Sequence, residues 1–214
     1  MVWPTLYQFF DFIGTMAFAI SGTRLASAKR FDWFGAYVVG LTTAIGGGTL
    51  RDVFLGVTPF WMTNPIYLIF SAFALFWVVI FRKRLVKQNN TWFLFDTIGL
   101  ALFTITGIEK TLSLGFPYWV AIIMGSITGA AGGVLRDVLI NEVPLIFRKE
   151  IYAIACVVGG LIFCGCNFLG ASREISAIIG GITIFAIRIL AVKFHISLPT
   201  LKGEEITSDK DKQK

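Results

Sequence analysis

The sequence predicts an all-α membrane protein. Its seven transmembrane helices form two inverted three-helix repeats plus a seventh helix, with helices 2 and 5 kinked at glycines. Three observations predict this fold. Of the 214 residues 56% are hydrophobic and 15% charged, with a mean hydropathy of +0.75, too apolar for a single water-soluble globule. Apolar stretches of about 20 residues, enough to cross a hydrocarbon core of about 30 Å, recur along the chain. Finally, sliding the chain by 85 residues aligns 11–59 with 96–144 without a gap, and around a third of the aligned positions are identical.

The first span runs near 6–27. Its opening, MVWPTLYQFFDFIG, lacks the basic region of a signal peptide and carries Asp11 where an apolar core would be, so it reads as a retained helix. The second span, 33–56, is interrupted at Gly46, Gly47 and Gly48. The third covers 64–81 and the fourth 93–109. The fifth, 117–140, is interrupted at Gly132 and Gly133, and the sixth and seventh cover 150–169 and 175–192. Trp33, Trp61, Trp92, Tyr118 and Trp119 fall near these boundaries, where amphipathic rings are favoured. The organisation is a first repeat over 1–88, a second over 89–171, the seventh helix over 172–195 and a disordered cytoplasmic tail over 196–214. Gly180 and Gly181 predict close packing of the seventh helix against a neighbour. Cys156, Cys164 and Cys166 lie in one apolar stretch and read as lipid-facing or packing residues rather than a disulfide framework. His195 stands alone at an interfacial position.

Orientation follows from lysine and arginine. Arg24, Lys29 and Arg30 follow span 1, Arg82, Lys83, Arg84 and Lys87 follow span 3, and Arg148 and Lys149 follow span 5. Lys193, Lys202, Lys210, Lys212 and Lys214 follow span 7, whereas the opposite side shows only Lys110 and Arg173, apart from Arg51 within its interrupted segment. The positive-inside rule places the N-terminus outside and the C-terminus in the cytoplasm. The net charge of +6 is thereby accounted for by loops and tail, not by a nucleic-acid-binding face.

The 85-residue shift sets Asp11 on Asp96, Gly14 on Gly99 and Gly22 on Gly107. It also sets Gly47-Gly48 on Gly132-Gly133, Leu50-Arg51-Asp52-Val53 on Leu135-Arg136-Asp137-Val138, and Pro59 on Pro144. Each copy holds three spans, so the second enters the bilayer upside down, an arrangement that places transport routes near the midplane between halves. Taken alone, the glycines fit tight helix crossing, since Gly125, Gly129 and Gly133 follow small-xxx-small spacing. The Arg-Asp pairs shift the balance, because each ionised side chain at bilayer depth costs about 2.5–3.5 kcal/mol. Neighbours on a helix point about 100° apart. The expected partners therefore lie across the repeat axis: Arg51 with Asp137 or Asp96, and Arg136 with Asp52 or Asp11. Glu109, Lys110 and Glu142 read as loop charges, and Arg188 as snorkelling to lipid headgroups.

These residues resemble a known family. Two GG-x-L-R-D segments 85 residues apart in a 3+3+1 arrangement resemble prokaryotic members of the trimeric intracellular cation (TRIC) channel family, the same sequence family as bacterial glycine transporter domain proteins. The resemblance covers nearly all of 5–195. It implies a homotrimer with a pore in each protomer, conducting potassium and sodium ions and associating with phospholipids in a cytoplasmic membrane. The chain lacks the long basic tail of the animal relatives.

On this reading Gly46, Gly47, Gly48, Gly132 and Gly133 are the pore hinge. Arg51, Asp52, Arg136, Asp137, Asp11 and Asp96 form its charged gate, with the aspartates or lipid phosphate holding the arginines. Carbonyls freed at the helix breaks, with the hydroxyls of Thr42, Thr43 and Thr128, would serve as ligands of a dehydrated cation. The competing reading is a carrier of glycine or a similar zwitterion, held by break amides and carbonyls. A third is a structural, lipid-organising membrane protein. No metal motif, nucleophile triad or phosphate loop is present, so no enzymatic activity, cofactor or nucleic-acid partner is assigned.

Overall fold

Helices form over the apolar runs, and local chemistry sets their ends. The computed structural model describes residues 6–87, 91–148 and 151–197, so the expected disorder of the tail from 198 onward lies outside the described residues. The long helices are α1 (Leu6–Ala28), α2 (Trp33–Phe54), α4 (Ile66–Lys87), α5 (Thr91–Ser113), α6 (Tyr118–Leu139), α7 (Ala153–Phe168) and α8 (Arg173–Lys193). A single helical turn, α3 (Phe60–Thr63), follows α2, and a 3-10 turn (Leu145–Phe147) follows α6. The carboxylate of Asp32 accepts from the Gly35 amide at 2.6 Å and starts α2. The Ser172 hydroxyl oxygen likewise accepts from the Ile175 amide at 3.3 Å and starts α8.

The chain turns through left-handed backbone at Arg30 (φ 61°) and Gly56 (φ 70°), and again at Gly115 (φ 84°) and Asn141 (φ 55°). The second pair lies 85 residues after the first. Glycine and asparagine are the residue types that adopt this region most readily.

Four helices, α1, α2, α5 and α6, pack against one another at the centre; α4 lies against α1 and α2, and α7 and α8 against α6 and α5. Phe18, Leu100, Ile105, Ile108, Phe163 and Ile184 are fully buried between them. Outside, Phe34, Ile80, Trp119 and Ile182 are each more than 60% exposed, an apolar exterior suited to lipid. Three helices, α5, α6 and α8, are long and apolar enough on their own to cross a membrane, and Ile66–Phe81 and Ala153–Phe168 are shorter apolar helices. Gly180 does pack closely, in contact with α7 at the Gly159 carbonyl, whereas Gly181 is more open.

One expectation is overturned. Neither α2 nor α6 is interrupted at its glycines: both run as unbroken α-helix past Gly46–Gly48 and Gly132–Gly133. Neighbouring helices supply the reason. Each of these five glycines is buried, and a Cβ at Gly47 would collide with the Thr128 carbonyl, one at Gly132 with the Thr43 carbonyl. The glycines let two helix backbones touch, and the helical hydrogen bonds need not be given up.

Candidate functional site

Both α2 and α6 end on their Leu-Arg-Asp-Val segment. Unsatisfied carbonyls make a helix C-terminus partly negative, which suits an arginine there. The Asp52 carboxylate accepts from Arg51 Nε at 2.8 Å and from the Phe60 amide at 2.9 Å, while its backbone carbonyl accepts from the Val57 amide at 2.9 Å. Asp137 does the same with Arg136 Nε at 2.8 Å, the Leu145 amide at 3.0 Å and the Glu142 amide at 2.8 Å. Each aspartate thus braces the chain reversal after its helix.

The arginines therefore pair with their own neighbours. None of the four expected cross-half pairs (Arg51 with Asp137 or Asp96, Arg136 with Asp52 or Asp11) occurs among the described ion pairs. Helix periodicity sets the Cβ directions, not where a long side chain ends. In the last turn, a guanidinium on a long flexible stem swings round to a carboxylate that the following loop already holds.

Around Asp52 a further cation arrives from the other half. Lys110 Nζ lies 2.8 Å from Asp52 Oδ1, so Lys110 is not the simple loop charge expected. Asp11 lies within the electrostatic reach of Arg51, Lys110 and Asp52, with the Thr106 hydroxyl beside it. Arg51 stands over the Phe60 ring at 5.8 Å.

Around Arg136 the enclosure is complete. Arg136 is fully buried and ion-paired with Asp96 as well as Asp137, and its Nη1 donates to Ser21 Oγ at 3.0 Å. The Tyr152 hydroxyl donates to Asp96 at 3.4 Å. Arg188 is the largest departure from the sequence reading. Instead of snorkelling it is fully buried, 3.9 Å from Asp96 and donating to the Ile151 carbonyl at 2.9 Å. Phe93 and Tyr152 flank its guanidinium, each ring centroid 4.8 Å away. The physical reason is that burial in protein, with aromatic faces and a carboxylate, satisfies a guanidinium better than lipid does.

Each cluster thus holds two cations and two aspartates: Arg51 and Lys110 with Asp52 and Asp11, and Arg136 and Arg188 with Asp96 and Asp137. They sit at opposite ends of the bundle. Asp96 and Lys110 are 14 residues apart on α5, about 21 Å at the rise of an α-helix.

Between them lies the glycine crossing, and it is filled. Phe18 and Phe103 pack there with their rings tilted by 57° and centroids 5.3 Å apart. Gly46 packs on Leu135, Gly48 on Phe60 and Gly133 on the Tyr152 hydroxyl. The Thr43 and Thr128 hydroxyls each donate to a backbone carbonyl one turn earlier, of Val39 and Met124, at 2.6 Å. Thr42 is only partly buried on α2. Because the helices are unbroken, no carbonyls are freed there as the sequence reading expected.

The sequence reading missed Tyr67 and Tyr152, which are 85 residues apart. Tyr67 packs edge-on against Phe60 at 4.4 Å, and Tyr152 meets Asp96. Carrying the alignment past Pro59 and Pro144 would have found them. It also missed the vestibule beside Asp137. There a cavity of about 290 Å³ is lined by Leu25, Lys29, Trp92, Asp137, Glu142 and Arg148, among others. Glu142 accepts from Lys29 Nζ at 2.5 Å and from Arg148 Nη2 at 3.2 Å, and the Lys29 ammonium above all holds its carboxyl below the usual carboxylate range.

Comparison with known proteins places this architecture. The sequence model of the Glycine transporter family matches twice, over residues 8–83 and 93–167. A UPF0126 membrane protein of Vibrio cholerae is 41% identical over 201 residues, covering 92% of this chain and 83% of that protein. The UPF0126 inner membrane protein YadS of Escherichia coli is 38% identical over 204 residues, covering 94% and 98%. The crystal structure of a TRIC trimeric intracellular cation channel orthologue from Rhodobacter sphaeroides superposes with a TM-score of 0.86 at 34% identity, over 90% of this chain and all of that one. The chain is a multi-pass membrane protein of the Glycine transporter family, similar in sequence and fold to the prokaryotic TRIC channels.

Proposed function

We propose that the chain is a monovalent cation channel that conducts potassium and sodium ions through a pore within each protomer of a homotrimer. The observation that carries this reading is the pair of ion-paired clusters, one at each end of the bundle, joined by a crossing at which glycines bring the two helix backbones together. Asp52 holds both Arg51 and Lys110, and Asp96 and Asp137 hold Arg136 and Arg188, so each of these cations has a carboxylate beside it where a permeating ion would pass. Similarity to the Rhodobacter sphaeroides cation channel supports the same reading.

In this account the filled crossing is the closed conformation. Opening bends α2 at Gly46–Gly48 and α6 at Gly132–Gly133, separates the two backbones, and turns carbonyls and the hydroxyls of Thr42, Thr43 and Thr128 toward the route. Residues 1–88 and 89–171 act as inverted repeats and 172–195 as a seventh span, in a cytoplasmic membrane with the N-terminus outside. Phospholipids cover the apolar exterior.

Membership of the Glycine transporter family favours one rival, a carrier of glycine or another small amino acid. Proteoliposomes assayed in parallel for potassium flux and radiolabelled glycine uptake separate the two. Potassium flux that does not saturate, with no glycine accumulation, is expected; saturable glycine counter-transport without potassium flux would select the carrier.

A further inference from the structure

The carboxylates of Asp52 and Asp137 are held alike but for one donor. Asp52 takes Arg51 Nε at 2.8 Å, the Phe60 amide at 2.9 Å and Lys110 Nζ at 2.8 Å. Asp137 takes Arg136 Nε at 2.8 Å and the Leu145 amide at 3.0 Å. The position 85 residues before Lys110 is Leu25, which carries no charge. Where the lysine stem and ammonium would run by analogy, the fold leaves the cavity of about 290 Å³, and both Leu25 and Asp137 line it.

We propose that this cavity binds a small monovalent cation, seated on the Asp137 carboxylate as the Lys110 ammonium is seated on Asp52. The ligand chemistry is that of an alkali metal ion or a primary ammonium group. Two features favour positive charge there. Asp137 is only 3% exposed, so its field is little screened by water. It lies in the last turn of α6, the negative end of the helix. Trp92 lines the same space, with the Arg136 guanidinium over its ring at 5.8 Å. Lys29 and Arg148 also border the cavity, but both are engaged by Glu142.

The inference deepens the channel reading, for which the site would be the first station at one mouth, yet binding can be measured without conduction. The test is the thermal unfolding of the purified full-length protein. It is run at matched ionic strength in potassium, methylammonium and N-methyl-D-glucamine chloride, on wild type and on Leu25→Lys. The wild-type midpoint is expected to rise by about 2–4 °C in one or both small cations over the bulky one. Leu25→Lys supplies the tethered ammonium, so it should unfold at a higher midpoint and respond equally to all three salts. A response to potassium alone identifies an alkali metal site, and one to methylammonium alone an organic ammonium site. Equal midpoints in wild type, or a cation response unchanged in Leu25→Lys, would overturn the proposal. Potassium flux in proteoliposomes alongside equal midpoints would remove the site and leave the channel standing.

Discussion

Arg188 and Asp96 face each other at 3.9 Å with neither side chain exposed, although Arg188 belongs to the helix that follows the two repeat-like halves. The eighth helix is therefore bound into the charged interior of the second half through an ion pair and two aromatic faces. Removing one partner of such a pair leaves the other charge buried. Arg188→Gln should lower stability by about 3–5 kcal/mol, read as the unfolding midpoint in detergent. Arg188→Lys should recover little of it, because a compact ammonium cannot reproduce the broad guanidinium's contact with both the Phe93 and Tyr152 rings. Adding Asp96→Asn to Arg188→Gln should cost less than the sum of the two single changes.

The crossing of α2 and α6 leaves no room for a side chain at Gly47 or Gly132. Gly47→Ala places a methyl group against the Thr128 carbonyl, and Gly132→Ala one against the Thr43 carbonyl. Backbone cannot yield as a flexible side chain does, so the helices must part. Each variant should lose about 1–3 kcal/mol of stability and leak more potassium than wild type in a proteoliposome flux assay. Ala at Gly56, where a Cβ would meet nothing, strains only the left-handed turn and should leave flux unaltered.

Arg51 and Arg136 stand at the two ends of the proposed route, each paired to its own neighbour. Arg51→Gln and Arg136→Gln should change unitary conductance or its voltage dependence in planar bilayers. A full crossing of the field by one charge is worth about 2.3 kcal/mol per 100 mV. Unaltered currents in both variants would remove the arginines from the mechanism.

Acid should loosen the vestibule. The Glu142 carboxyl titrates below its usual range because Lys29, and secondarily Arg148, hold its ionised form. Its contribution is full above the ordinary carboxylate value, about 4.3, and is lost as pH falls through the lowered folded-state value. The midpoint difference between wild type and Glu142→Gln should therefore shrink as pH falls from 6 toward 3, and hold steady above 6.

Much of the architecture can be read in the sequence because lipid enforces it. Apolar runs, turn residues and the placement of lysine and arginine locate the long helices to within a few residues at most ends; α4 is the exception, extending to Lys87 through its basic run. The aspartates and arginines of the site stand out because charge is rare in such segments. What they pair with does not follow from spacing. Arg51 and Arg136 reach their neighbours through side-chain flexibility within the last turn, a freedom that helix periodicity does not describe. Arg188 resembled a boundary residue in sequence, and only the packing of α8 against Phe93 and Tyr152 shows it buried. Lys110 lies at the end of α5, and its partner is fixed by where α2 ends. The glycines carry two physical meanings, a weak point and a close approach, and the unbroken helices select the second.

The unitary potassium current of the purified wild-type protein in a planar bilayer tests the channel account most directly. Discrete steps with an ohmic current–voltage relation over small voltages are expected. A silent bilayer, with the same preparation moving glycine saturably in vesicles, would contradict it.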